Sequence, residues 1–385
     1  MRQEFLPFSP PFIGPEEIAE VVDSLQSGWI TTGPKTKDFE ARFAAFTGAP
    51  AALALNSCTA ALHMALVCLD IGPGDEVITT CLTFAATVGV IEHTGATPIL
   101  VDVTPDTLNM DPEKVAAAIT DRTRAVIAVH FGGHPCELDR LREICRERNL
   151  ILVEDAAHSL PAWYQGRLVG DCDNPVAFSF YATKNLTTAE GGMLTGAAEL
   201  VERGVVASLH GMNKDAWKRN SEQGNWRYDI VMPGFKYNMP DIMAAMGLRQ
   251  LDRLLDMHAK RETIVARYRE GLEPLGAFDL PVEREDCRSA WHLFPIRLRA
   301  GVLNIDRDEF IERMKALNIG TSVHFIPIHT FTYYREKYGF QPGDFPVALA
   351  ESDRILSLPL HPGLTDSDVD DVMSAVTEIV ESCRP

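Results

Sequence analysis

The chain has 385 residues, 46% of them hydrophobic, enough to bury a large core and to predict one large and one smaller domain. Its 36 basic and 54 acidic residues leave a formal net charge of −18, which argues against general binding to nucleic acid or to an anionic membrane. The eight cysteines, at 58, 68, 81, 136, 145, 172, 287 and 383, form no C-x-x-C pair and predict reduced thiols in the cytoplasm.

From the N-terminus, Met1 to Phe5 lacks an apolar signal core. The greasiest stretch, 51–69, is interrupted by Asn56, Ser57, Thr59 and His63, so neither a secretion signal nor a membrane span is expected. Within it, Asn56-Ser57-Cys58-Thr59 precedes a helical pattern. A helix N-terminus there offers unpaired amides and a positive dipole end suited to a phosphate, while Ser57 or Thr59 as a plain N-cap is the simpler alternative.

Aliphatic runs at 76–80, 97–101, 125–129 and 150–153 alternate with helical patterns near 83–93, 111–119 and 137–148, a βαβ rhythm. The run at 150–153 ends in Glu154 and Asp155, with His158 close behind. In an open α/β sheet ligands sit beyond the carboxyl ends of the strands, where Asp155 and His158 fall, although Asp155 could equally cap the next turn. His130, His134 and Cys136 lack the paired spacing of a metal site, and no metal is expected.

The stretch 178–188 sets Lys184 among apolar, aromatic and hydroxyl residues. A weakly hydrated lysine loses part of its preference for the ammonium form, making a nucleophilic amine accessible; a surface lysine near a loop is the bland alternative. Farther on, Lys214, Lys218, Arg219, Arg227 and Lys236 form a basic segment where a nucleotide diphosphate could dock, or else a solvated loop. Pro240-Asp241 opens a helix to about 271 that bridges two domains, divided as 1–250 and 251–385. Beyond 280 the pattern turns to α+β, with a strand at 291–298, helices at 306–317 and 365–379, and His324 and His329 on a loop rich in aromatics and prolines. There is no G-x-x-x-x-G-K-[ST], H-E-x-x-H or G-x-G-x-x-G after a strand, so phosphoryl transfer, zinc proteolysis and dinucleotide binding lack their motifs.

A phosphate cradle, a carboxylate at a strand end and a desolvated lysine are jointly the parts that pyridoxal phosphate requires. The carboxylate keeps the pyridine nitrogen protonated and the lysine carries the cofactor as a Schiff base.

Along nearly its whole length the chain resembles the DegT/DnrJ/EryC1/StrS sugar aminotransferases of the fold-type I enzymes. The likeness is carried by Ser27-Gly28-Trp29-Ile30-Thr31-Thr32-Gly33-Pro34, Glu154-Asp155-Ala156-Ala157-His158, Thr183-Lys184-Asn185, Glu190-Gly191-Gly192, Gly234-Phe235-Lys236-Tyr237-Asn238 and His324-Phe325. Within the family it looks most like members that aminate a UDP-linked 4-keto-pentose. The resemblance implies an α/β fold, a large domain with a mixed, mostly parallel sheet flanked by helices and a smaller C-terminal α+β domain. It implies Lys184 as the covalent attachment point, Asp155 on the pyridine nitrogen, Phe84 stacked on the ring and His158 near the ring substituents. Cys58 (through its amide), Thr59 and Ser179 would bind the phosphate, with Asn238 from a neighbouring subunit, so that a homodimer shares its sites. Tyr181, Arg227, Lys236 and His329 would face the substrate. The implied reaction moves an amino group from glutamate, leaving 2-oxoglutarate, to a nucleotide-diphosphate keto sugar, at C4 of a UDP-linked sugar, with pyridoxamine phosphate as the intermediate form. Cys58, Phe84, Tyr181 and Ala189 depart from the residues usual at their positions without removing a needed group. A keto-cyclitol aminotransferase would need the same groups, whereas a sugar dehydratase on this scaffold would carry histidine in place of Lys184.

Overall fold

The computed structural model describes residues 2–213 and 228–385. Its main sheet collects β1 (Ala51–Leu55), β2 (Glu76–Thr80), β3 (Thr97–Val101), β4 (Thr123–Val129) and β5 (Ile151–Asp155). A short hairpin of β6 (Trp163–Tyr164) and β7 (Arg167–Leu168) intervenes before β8 (Val176–Ser179) and β9 (Gly192–Gly196) return to the main sheet. The spatial order is β1-β9-β8-β5-β4-β2-β3, and β9 alone runs antiparallel to its neighbours. The expected mixed, mostly parallel sheet is therefore present.

Successive residues of a strand point to opposite faces. Ile127 and Val153 accordingly join Leu62, Leu66 and Ile91 on one face, while Val126 and Leu152 join Leu141 and Ile144 on the other. Helices cover both faces, which is why the central strands read as continuous aliphatic runs. The same alternation sends Asp155 and Glu154 to opposite sides. Glu154 is fully buried against His130, whose Nε2 lies 3.1 Å from its carboxylate, and only Asp155 is left for the carboxyl edge of the sheet.

Some boundaries differ from those predicted. The helix expected from 83 begins at Ala85 because Phe84 is its N-cap in extended backbone. The strand expected from 291 begins at Phe294, since Trp291 takes a left-handed φ of 45° that a strand cannot contain.

A second core surrounds β10 (Phe278–Asp279), β12 (Phe294–Leu298) and β13 (Ile355–Leu358), with β11 (Cys287–Arg288) paired instead to β6. Helices Arg307–Ala316 and Asp366–Ser382 pack on it through Phe310, Val372 and Val376. The helix Asp241–Leu272 serves both cores. Its Leu248, Leu251 and Leu254 lie in the first, and Ile264, Tyr268 and Leu272 in the second. The division expected at 250 thus falls inside one continuous helix, and the apolar contacts change hands between Met257 and Ile264.

The second core also takes in Leu6 from the other end of the chain. Its amide donates to the Asn318 carbonyl at 2.8 Å, and its carbonyl accepts the Gly320 amide at 2.9 Å. Gly320 permits this approach, since a Cβ there would lie 2.9 Å from the Leu6 oxygen and 3.0 Å from the Phe8 nitrogen. Leu6→Ala should therefore cost about 2–3 kcal/mol and lower the urea midpoint. Phe5→Ala, with a side chain 53% exposed, should move it little.

Candidate active site

The site is built where β1, β5 and β8 end. After β1 the chain turns at Ser57, extended at φ −167° and ψ 160°, whose Oγ accepts the Ala60 amide at 3.0 Å and caps the helix Cys58–Cys68. The cap and a set of unpaired amides coexist here. Ser57 is the plain cap, and the amides of Cys58 and Thr59 in the first turn have no intrahelical acceptor. β9 passes close beneath. Gly192 pairs with Ser179, and a Cβ on Gly192 would lie 2.5 Å from the Cys58 nitrogen and the Ser57 carbonyl. Only glycine leaves the amide cradle in place.

Asp155, 5% exposed, accepts Thr87 Oγ1 at 2.8 Å and the Ala157 amide at 3.1 Å. Burial pushes its carboxyl up, against the pull of Thr87, the Ala157 amide and Lys184. Burial also pulls the Lys184 ammonium down to about 8, with Cys58 and Asp155 opposing that shift. The lysine backbone is fixed. Its amide donates to the Tyr181 carbonyl at 2.9 Å, and the next residue, Asn185, is held at both ends by the Ala290 carbonyl at 2.7 Å and His292 Nδ1 at 3.2 Å.

Three histidines converge on the same space. His158 Nδ1 accepts the Gly132 amide at 3.3 Å, and its ring stacks on Phe325 at 5.8 Å and 15°. His324 Nδ1 lies 3.0 Å from Ser357 Oγ. Burial, then the nearby Lys184, lowers the pKa of His158 and His292 well below the usual imidazole value and that of His324 to about 4. They are neutral at pH 7.

Together these groups line a cleft of about 620 Å³. It brings together Cys58, Thr59, Phe84, Asp155, His158, Ser179, Tyr181 and Lys184, all singled out in the sequence. Lys236 and Asn238 do not line it. Asn238 pairs beside Leu55 at the end of β1, where its amide donates to Thr32 Oγ1 at 2.7 Å and its Oδ1 receives the Lys236 ammonium. Lys214, Lys218, Arg219 and Arg227 lie outside the described residues.

The expectation for His329 is not met in the protomer. It is 1% exposed, packs on Phe345 with ring centroids 4.8 Å apart, and turns Nε2 to the Pro342 carbonyl at 3.2 Å. His324 is the residue of that loop that faces the cleft. Sequence reading also missed Phe8, Thr87, His292 and Phe325. Thr87 had a local signal, a helical turn after the Phe84 already singled out, and so did Phe325, next to His324 in a segment that carries the family likeness.

The arrangement fits pyridoxal phosphate on its own geometry. Asp155 keeps lone pairs beyond its two donors and, with burial raising its pKa, suits a cationic nitrogen such as a pyridinium. The unpaired amides over Gly192 suit a phosphate. Gly192→Ala should weaken binding of pyridoxal phosphate to the apoprotein roughly tenfold or more, the loss of charge-assisted hydrogen bonds. Fluorescence titration measures this, and an unchanged far-UV spectrum confirms the fold.

Comparison with known proteins agrees. The sequence model of the DegT/DnrJ/EryC1/StrS aminotransferase family matches residues 11–377. A spore coat polysaccharide biosynthesis protein, SpsC of Bacillus subtilis (strain 168), is 50% identical over 382 residues, 99% of this chain and 98% of that one. Spr1654 from Streptococcus pneumoniae, solved in PMP and PLP forms, superposes with TM-scores of 0.92 and 0.91 at 39% and 38% identity. Each alignment covers 98% of this chain and 99% of that one. PseC from Helicobacter pylori, an aminotransferase involved in the biosynthesis of pseudoaminic acid, gives 0.90 at 27% identity over 99% of this chain and 100% of its own. The chain belongs to the DegT/DnrJ/EryC1/StrS aminotransferase family and is a pyridoxal-phosphate-dependent sugar aminotransferase.

Proposed function

We propose that the enzyme moves an amino group from glutamate to a nucleotide-diphosphate keto sugar, at C4 of a UDP-linked sugar, and that it works in the cytoplasm as a homodimer with shared sites. The observation that carries the chemistry is the Lys184 amine, brought to about 8 beside a buried carboxylate in an open cleft. Pyridoxal phosphate, when bound, supplies an aldehyde carbon that takes an amine and a protonated ring that accepts electron density.

The chain's own groups then divide the work. Asp155, oriented by Thr87 and the Ala157 amide, holds the proton of the ring nitrogen by charge. With the cofactor bound, the amides of Cys58 and Thr59 and the Ser179 hydroxyl would hold its phosphate, and Phe84 would lie against its ring. Once free, the Lys184 Nζ takes the α-proton of glutamate and later delivers a proton to the sugar carbon. An amine of pKa about 8 can do both near neutral pH, whereas an exposed lysine near 10.4 would remain protonated. His158, His292 and His324, with pKa values pushed down by burial, are weaker bases than the lysine beside them.

The nucleotide link is supported by the relatives. SpsC is named for polysaccharide biosynthesis, and such polymers are assembled from activated sugars. Sharing between subunits is supported by exposed apolar side chains at Trp29, Ile30, Phe84, Ile230 and Val231, 52% to 66% exposed, the kind of surface a partner covers. Free thiols at all eight cysteines suit a reducing compartment. No described helix is long and apolar enough to cross a membrane.

Incubating the enzyme with glutamate and a panel of UDP-, dTDP- and GDP-linked keto sugars, with products read by mass and NMR, tests the substrate. A C4-aminated UDP-sugar is expected, and amination of keto-inositols alone would overturn the reading. Lys184→Ala should abolish both turnover and the visible band of the covalent cofactor. Asp155→Asn should reduce the rate severely, because an amide cannot hold the ring nitrogen protonated. Covalent loading of the apoprotein should accelerate as pH rises through about 8; a midpoint near 10.4 would show Lys184 to be hydrated like a surface lysine. If Asn238 acts across the dimer, mixing Asn238→Ala with Lys184→Ala protomers should restore some activity, and verified heterodimers without rescue would refute sharing.

A further inference from the structure

We propose that Glu190 is a specificity residue, its carboxylate accepting a hydroxyl of the sugar ring and disfavouring the dicarboxylate donor; this rests on the amino-transfer reading above. Glu190 lines the cleft with an exposed side chain. Among the described residues its carboxylate has no ion pair and no hydrogen bond, in a chain otherwise rich in ion pairs.

The backbone beneath the carboxylate is fixed. Ala189 is held at a left-handed φ of 68°, Thr188 Oγ1 donates to the Glu190 carbonyl at 2.6 Å, and the Gly191 carbonyl accepts the Phe180 amide at 2.9 Å. A Cβ on Gly191 would lie 2.2 Å from Thr188 Oγ1 and 2.8 Å from Met239, so the turn closes tightly around Glu190. The turn fixes where the Glu190 side chain leaves the backbone, at the edge of the reacting cleft, and leaves its carboxylate available to a ligand.

Its charge says which ligand. Among the described residues the acids lining the cleft are Asp155 and Glu190, the lysine is Lys184, and the three histidines are neutral. Asp155 is engaged inside the site, so Glu190 is the anion left facing an incoming molecule. It repels a dicarboxylate such as glutamate. A polyol ring offers hydroxyl donors, and a hydroxyl-to-carboxylate hydrogen bond is among the stronger neutral-to-ion contacts. One side chain therefore acts in opposite directions on the two substrates that must share the cleft.

The test measures both half-reactions by the absorbance of the bound cofactor, and calorimetric binding of the amino-sugar product to the holoenzyme. Glu190→Ala should weaken sugar binding roughly tenfold or more. Glu190→Gln, which keeps an acceptor oxygen but loses the charge, should weaken it less. Both variants should bind glutamate several-fold more tightly, a rise that general damage to the cleft would not produce. Sugar binding within about twofold of wild type, or a parallel weakening of sugar and glutamate, would overturn the proposal. The comparison uses whichever keto polyol the wild type aminates, nucleotide-linked or free, so loss of the nucleotide reading leaves the Glu190 test standing.

Discussion

A lysine amine kept out of water beside a buried carboxylate is the interaction on which the rest of this structure depends. Left alone, each group would be driven toward its neutral form, since a low-polarity site disfavours charge. Placed together, Lys184 and Asp155 partly restore one another's charge, and the balance leaves the amine near 8. That balance needs several independent elements to agree. β5 must end at Asp155, Thr87 must reach it from the helix Ala85–His93, and Asn185 must be tied to Ala290 and His292.

The parallel sheet is what makes such agreement possible. Its strands deliver their carboxyl ends to one edge, so residues far apart in sequence arrive side by side with backbones already fixed by the ladder. β9, the single reversed strand, brings Gly192 under the first turn of the helix Cys58–Cys68. A parallel strand at that place would present its other end there, and the Glu190-Gly191-Gly192 turn would lie away from the cleft.

Much of this was legible in the sequence because it is local. The aliphatic run before Asp155, the small polar residues before the helix at 58 and the unusual company of Lys184 each carry their signal within a dozen residues. Alternation along a strand even distinguishes Asp155 from Glu154, though not which of the two faces holds the ligand. What escaped is non-local. Leu6 joins a core otherwise built from 264 onward, and nothing near it in sequence says so. His324 and His329 share one loop and similar neighbours, and only the packing of Phe345 against His329 separates the buried ring from the one in the cleft. Gly192 reads as a turn glycine until the opposite helix is seen. The bridging helix was itself legible from Pro240 onward, and what the sequence left open is where along it the apolar contacts pass from one core to the other.

That shared helix has a mechanical consequence. Its 32 residues form a rod about 48 Å long, at 1.5 Å per residue, anchored at one end by Asp241, which accepts the amides of Gly33, Lys35 and Thr36, and at the other by Tyr268 on the Pro359 carbonyl. The two halves are therefore spliced by a stiff beam, with no interior proline to act as a joint. A substrate therefore meets a cleft whose walls, drawn from both halves, are held at a spacing that no joint within the beam adjusts.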